Sequence, residues 1–102
     1  MDKMLKIEVP QASIDAFCKR HGVKKLAFFG SVLRDDFDPG KSDVDVLVEF
    51  DPGKKVGYLG LGMMEVELSR IIGMRVDLRT PSELSRYFRD EVIATAEVRY
   101  AA

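Results

Sequence analysis

The chain has almost none of the side chains that most often staple or metallate a small domain. A single cysteine, Cys18, excludes an internal disulfide and any metal site built from several thiolates. Beside Phe17 on a predicted helix, it reads as a small buried apolar group. A single histidine, His21, gives little support to a catalytic triad or an imidazole metal site, and its place at a helix end suits a charge–dipole role. No apolar run approaches the roughly 20 residues that span a bilayer, and the N-terminus has no signal-like hydrophobic stretch. No membrane association and a cytoplasmic location are therefore expected. Neither sign of charge dominates: Lys+Arg number 16, Asp+Glu 17, and the formal net charge is -1. The overall field gives no reason to expect direct nucleic-acid binding. The glycines of GYLGLGMME do not make G-x-G-x-x-G, because Glu65 stands where the last would fall, and DPGKK at 51–55 lacks the upstream glycine of a phosphate loop.

What is present is core material. Of 102 residues, 46% are hydrophobic and 32% charged, enough for one packed domain and no compositional case for disorder. Residues 10–22 predict a helix that starts at Pro10, gathers Ile14, Phe17 and Cys18 on one side and ends at Gly22. The run Leu26 to Phe29 predicts a strand, SVLRDDF a helical turn, DPGKS a turn and DVDVLVEF a second strand. Residues 58–72 have helical spacing through Leu61, Met64, Leu68 and Ile71, closed by Gly73. MRVDLRT predicts a third strand. TPSELSRYF predicts the opening of a last helix, with Thr80 as N-cap, Pro81 in the first position and Glu83 placed for a capping box. DEVIATAEVRYAA continues it and ends in a short strand near Val98. The alternation implies an α/β or α+β protein, a small sheet with helices packed against it.

One strand is unusual. Alternation puts Val44, Val46, Val48 and Phe50 on one face and Asp43 with Asp45 on the other. The two carboxylates start from Cα atoms about 6–7 Å apart, within reach of a common divalent cation. Without one they repel, in a structure that aspartate already disfavours; the bland alternative is a turn-ending Asp43 and a solvent-facing Asp45. Gly30-Ser31 stands where a strand passes into a helical turn, a junction whose N–H groups can bind phosphate oxygens; the alternative for Ser31 is a plain N-cap. With Ser31 as cap, Arg34 falls in the first helical turn, where the macrodipole favours acids unless an anion binds there; Asp35 or Asp36 could pair with it instead. Asp77, between Val76 and Leu78, is the third candidate acid, with Arg75 and Arg79 on its face as possible ion-pair partners. Glu49 is a weaker candidate.

Phe29-Gly30-Ser31, eleven intervening residues, Asp43-Val44-Asp45-Val46 and later Val76-Asp77-Leu78 resemble the active-site pattern of the DNA polymerase beta-like nucleotidyltransferases. The likeness is greatest to the minimal nucleotidyltransferase (MNT) branch, whose G-S-x-x-R and S-D-x-D motifs match Gly30, Ser31, Arg34, Ser42, Asp43 and Asp45. One departure is Asp35, where many relatives carry a small residue. The resemblance implies one nucleotidyltransferase domain over residues 1–102, with a small mixed sheet. It implies that Asp43, Asp45 and Asp77 hold Mg2+, as two ions, that Asp77 also helps to activate the attacking hydroxyl, and that Gly30, Ser31, Arg34 and Ser42 bind the nucleotide. ATP would be the substrate and pyrophosphate a product.

A chain of 102 residues has no room for a separate acceptor-holding domain, so another molecule should present the acceptor. Minimal members of the family resemble antitoxins paired with HEPN-domain ribonuclease toxins, some of which are silenced by transfer of AMP to a tyrosine. The resemblance thus implies an ATP:protein adenylyltransferase that forms a hetero-oligomer with such a toxin. Two other readings stand beside it: a binding module that blocks the toxin by contact through an apolar face such as the Met63 to Ile72 helix, and a transferase acting on a small molecule or an RNA end. Met63, Met64, Val66 and the flanking leucines leave that helix apolar on more than one side.

Overall fold

The computed structural model describes residues 5–102. Its first helix, α1 (Gln11–His21), buries Ile14, Phe17 and Cys18, the three residues that share a face at helical spacing. Strand β1 (Val23–Phe29) follows, then a short 3-10 turn over Gly30–Leu33, strand β2 (Val44–Phe50), helix α2 (Tyr58–Ile72) and strand β3 (Val76–Arg79). A 3-10 turn at Pro81–Glu83 leads to helix α3 (Arg89–Thr95) and strand β4 (Glu97–Ala101).

The four strands form one sheet in the order β3-β2-β1-β4. β1 runs antiparallel to both β2 and β4, whereas β2 and β3 are parallel, a pairing that needs the crossover connection α2 supplies. The sheet is therefore mixed, and α1 and α2 cover one of its faces. On that face Leu26 and Phe28 meet Val48 and Val46 across the β1–β2 ladder, and Val44 and Val46 meet Val76 and Leu78 across β2–β3. These residues join Ile14, Phe17, Cys18, Met64 and Leu68 in one apolar cluster. Fully burying such a side chain contributes on the order of 1.5–3 kcal/mol, so strand alternation decides which way β2 faces. The valines take the core and Asp45 the other side.

Two sequence expectations are revised. TPSELSRYF does not open a long helix. The Thr80 N–H donates to Glu83 Oε1 at 2.9 Å, but the turn it caps stops at Glu83 because Leu84 is extended, φ -79 and ψ 144. Arg89 then bridges the break, its Nε donating to Pro81 O at 2.8 Å and its Nη2 to Leu84 O at 3.0 Å. The expected cation–dipole role of His21 also changes. Although Nε2 lies 2.8 Å from Glu67 Oε1, burial, with Arg20 and Lys54 nearby, holds the ring's pKa below its usual value. His21 and Arg20 together tie the end of α1 to Glu67 on α2. Among the described residues no helix is long and apolar enough to cross a membrane.

Candidate active site

The carboxylates lie on the sheet face that α1 and α2 leave uncovered. Asp45 and Asp77 are register partners across the parallel β2–β3 pair, so two acids that are distant in sequence start from neighbouring backbone positions. Asp43 precedes β2 by one residue. The loop that delivers it is closed by Asp38, whose carbonyl accepts from Ser42 N–H at 2.7 Å and from Lys41 N–H at 3.0 Å. Ser42 thus sits at the mouth of the strand.

Gly30 follows β1 directly and lies beside Asp45, since Phe29 and Asp45 are cross-strand partners. Its φ of 77 lies in the left-handed region, and a Cβ there would collide with Asp45 Oδ2. Both the backbone conformation and the space require glycine. The turn that follows differs from expectation: Phe29 is the N-cap, Ser31 lies within the 3-10 turn, and Arg34 leaves it in extended conformation with its N–H on Ser31 O. Arg34 is therefore not in the first turn of a helix, and the macrodipole argument for an anion does not apply to it. Its Nε is 3.3 Å from Asp36 Oδ1, an exposed pair. Asp35, the departure from the family pattern, turns away to Lys6 at 2.8 Å.

Beside this turn is a cleft of about 510 Å³ lined by Phe29, Gly30, Leu33, Arg34, Glu91, Val92 and Thr95. One wall is β1 and its turn; the other is α3. The α3 residues carry no motif and were not among the sequence candidates. A second cleft of about 380 Å³ lies between the end of α1 and the start of α2, lined by His21, Lys54, Met63 and Glu67 among others; none of the three aspartates lines either cleft.

The electrostatics of the face centre on Asp45. Burial, then the charges of Asp77 and Asp43, push its carboxyl up to about 6 from 3.8, against the opposing pull of Arg79 and Arg34. The other two acids have arginine partners: Asp77 Oδ1 is 3.1 Å from Arg79 Nε, and Asp43 Oδ1 is 3.1 Å from Arg75 Nε. The ion-pair alternative raised for Asp77 is thus present in the structure together with its pairing to Asp45. Among the described residues, no three His, Cys, Asp or Glu side chains are gathered closely enough to hold a metal. The donor chemistry nonetheless fits a hard divalent cation, which takes carboxylate oxygens. A half-buried carboxylate crowded by two like charges, with no ion-pair partner among the described residues, is the electrostatic complement of such a cation. The pairs to be exchanged are solvent-exposed, and such pairs contribute only about 0–1 kcal/mol. Glu49, the weaker candidate, reaches Lys25 at 4.0 Å instead.

A family model described as a nucleotidyltransferase domain matches residues 12–100. Two proteins of Methanocaldococcus jannaschii, each named "putative protein adenylyltransferase", are similar in sequence. One is 35% identical over 77 residues, 76% of this chain and 80% of the relative; the other is 40% identical over 60 residues, 59% and 58%. Among solved structures, a "putative minimal nucleotidyltransferase" aligns with TM-score 0.68 and 30% identity over 84% of this chain and 85% of its own. A toxin–antitoxin structure with AMP-PNP aligns with TM-score 0.73 and 14% identity over 92% and 75%. A chain from the complex of tri-AMPylated Shewanella oneidensis HEPN toxin with MNT antitoxin aligns with TM-score 0.65 and 15% identity over 90% and 70%. At these last identities the likeness is one of fold, and it agrees with the mixed sheet and flanking helices described above.

Proposed function

The chain belongs to the nucleotidyltransferase-domain family, and from that membership we propose that it is an Mg2+-dependent protein adenylyltransferase: an antitoxin that moves AMP from ATP to a tyrosine of a cognate HEPN-domain toxin. The observation that carries the proposal is the register pairing of Asp45 with Asp77 beside a glycine turn whose missing side chain leaves room for the Asp45 carboxylate. Relatives named for protein adenylylation support the acceptor class, and the AMPylated HEPN toxin of a fold neighbour supports the partner.

In this reading Asp43, Asp45 and Asp77 would hold Mg2+, as two ions, which would supply Lewis-acid stabilisation of the charge that develops in the transfer. The chain's own residues do the rest. Gly30 and Ser31 receive the triphosphate against the backbone of the turn, Ser42 borders the same mouth, and Arg34 leaves Asp36 for a phosphate, a stronger charge-assisted partner. The cleft between the turn and α3 holds the remainder of the nucleotide or the tyrosine ring. Asp77 accepts the hydroxyl proton as the tyrosine oxygen bonds to the α-phosphorus. The bond from that phosphorus to the bridging oxygen breaks, and pyrophosphate leaves with the electron pair.

The test uses purified protein, Mg2+, labelled ATP and the HEPN protein encoded with it, followed by intact mass and site mapping of the HEPN protein. Whole AMP increments on tyrosine are expected, and none with Asp43→Asn/Asp45→Asn. An unmodified HEPN protein that is still neutralised in cells by the double variant would instead favour inhibition by contact. That second reading has its own observation: Tyr58, Leu59, Met63 and Val66 on α2 are 85%, 80%, 67% and 52% exposed.

A further inference from the structure

β3 is an edge strand, bonded to β2 on one side only. Its outward N–H groups would ordinarily face water or invite another strand. Here both are taken by α2: Val76 N–H donates to Ser69 Oγ at 3.0 Å, and Leu78 N–H donates to Glu65 Oε2 at 2.8 Å. The Ser69 hydroxyl donates in turn to the Glu65 carbonyl at 2.8 Å. The spacings match. Residues one helical turn apart are about 5–6 Å from each other, and strand positions two apart are separated by about 6–7 Å. The residue bracketed by the two bonds is Asp77.

We propose that Glu65 and Ser69 are positioning residues for Asp77, holding the edge strand so that its carboxylate stays in line with Asp45; this rests on the reading that Asp77 belongs to the transfer site. Asp77 is bound to β2 through its own register pairing, and the residues on either side of it are bound to α2. A strand of four residues is thereby fixed from both edges around the acid. Covering the edge alone would not need a carboxylate, since a hydroxyl already serves Val76. A charge-assisted acceptor on Leu78 is roughly twice as strong as a neutral one. Ser69 is also poorly suited to a helix interior, where back-bonding to the preceding turn slightly destabilises, so its value lies in what Oγ accepts.

The experiment uses the full chain with Mn2+ and a non-hydrolysable ATP analogue, in wild type, Glu65→Ala, Glu65→Gln and Ser69→Ala. Two readouts do not depend on transfer: amide exchange at Leu78 and Val76, and Mn2+ affinity with paramagnetic broadening at Asp77. Glu65→Ala should expose the Leu78 amide and weaken Mn2+ binding about 10-fold, the lower end of outer-shell effects, while Glu65→Gln, which keeps an acceptor oxygen, stays within about 2-fold of wild type. Ser69→Ala should expose Val76, with a weaker metal effect in the same direction. Faster Leu78 exchange with unchanged Mn2+ affinity would reduce the pair to edge cover, and unchanged exchange would remove the hydrogen bond itself. If Glu65→Ala does not fold, Ser69→Ala decides the matter by the same readouts, with faster Val76 exchange and unchanged Mn2+ affinity again reducing the contact to edge cover. A wild type that binds Mn2+ at Asp77 as described yet transfers no AMP would sink the proposed function and leave the positioning intact.

Discussion

Asp45 and Asp77 sit opposite each other on parallel strands, and among the described residues only Asp77 of the two has an arginine within ion-pair distance, Arg79. Asp45 is left as a carboxylate pushed up to about 6 by burial and by its acidic neighbours. This has a thermodynamic sign. Between about pH 4 and pH 6 the folded protein holds a proton that the unfolded chain releases, so the contribution to stability is present below about pH 4 and lost as pH passes 6.

Asp45→Asn should therefore stabilise the metal-free protein at pH 7.5, by about 1 kcal/mol once the solvent screening of a half-exposed group is allowed for, while abolishing transfer. Melting curves from pH 4 to 8 check it: wild type and variant should converge at the acid end, diverge between about pH 4 and pH 6 and stay apart above it. Mg2+ at neutral pH should raise the melting temperature of wild type and have a smaller effect on Asp45→Asn. A variant less stable than wild type at pH 7.5 would contradict the electrostatic reading of the site.

Gly30→Ala places a methyl group against the Asp45 carboxylate at a φ of 77. Gly53, with φ 86 and nothing within 4 Å of its would-be Cβ, provides the control. Gly53→Ala carries only the left-handed backbone penalty, about 1–2 kcal/mol. Gly30→Ala should lose at least about 1 kcal/mol more in chemical denaturation, and AMP transfer should fall far more than with Gly53→Ala. Equal losses for the two variants would mean that Asp45 moves aside freely.

Cys18 is fully buried in the core cluster, where burial and the nearby charge of Asp15 push its thiol up to about 12. At pH 8 the native protein should resist an aromatic disulfide reagent, with one thiol appearing only in denaturant. Prompt labelling of the folded state would show that α1 opens locally, because core thiols become reactive through opening events.

Much of this was visible in the residues. Ile14, Phe17 and Cys18 mark the buried face of α1, and Val44, Val46 and Val48 mark the core face of β2, because burial of apolar area enforces periods of 3.6 and 2. Asp43 and Asp45 could be singled out because aspartate is disfavoured in a strand, and Gly30 because it stands where a strand passes into a turn. The juxtaposition of Asp45 with Asp77 was not legible without the family likeness. It depends on the parallel pairing of β2 with β3, and strand order follows from long-range packing. The α3 wall of the cleft, with Glu91 and Val92, had no local signal at all. TPSELSRYF has good capping chemistry but ends after one turn, as Leu84 turns extended and Arg89 donates to the Pro81 and Leu84 carbonyls; tertiary contacts outweigh propensity there.

The exposed row on α2 gives the last prediction. Leu59, Met63 and Val66 recur at intervals of four and three residues, the spacing of a helix–helix seam. Lys54, Lys55 and Arg70 lie close to it with no ion-pair partner among the described residues, and the two acids on the same helix are already engaged, Glu67 by Arg20 and His21 and Glu65 by the Leu78 N–H. A partner helix with an apolar strip and flanking carboxylates would suit this surface. Leu59→Asp and Met63→Asp should leave stability within about 0.5 kcal/mol, since both side chains are mostly in water. They should weaken calorimetric binding of the HEPN protein by roughly 10-fold or more if these are anchor residues. Asp43→Asn/Asp45→Asn should bind as wild type does. The two sets of variants then separate contact from chemistry. If neutralisation in cells is lost with the α2 variants and kept with the aspartate variants, contact suffices; if both lose it, docking on α2 serves the transfer of AMP.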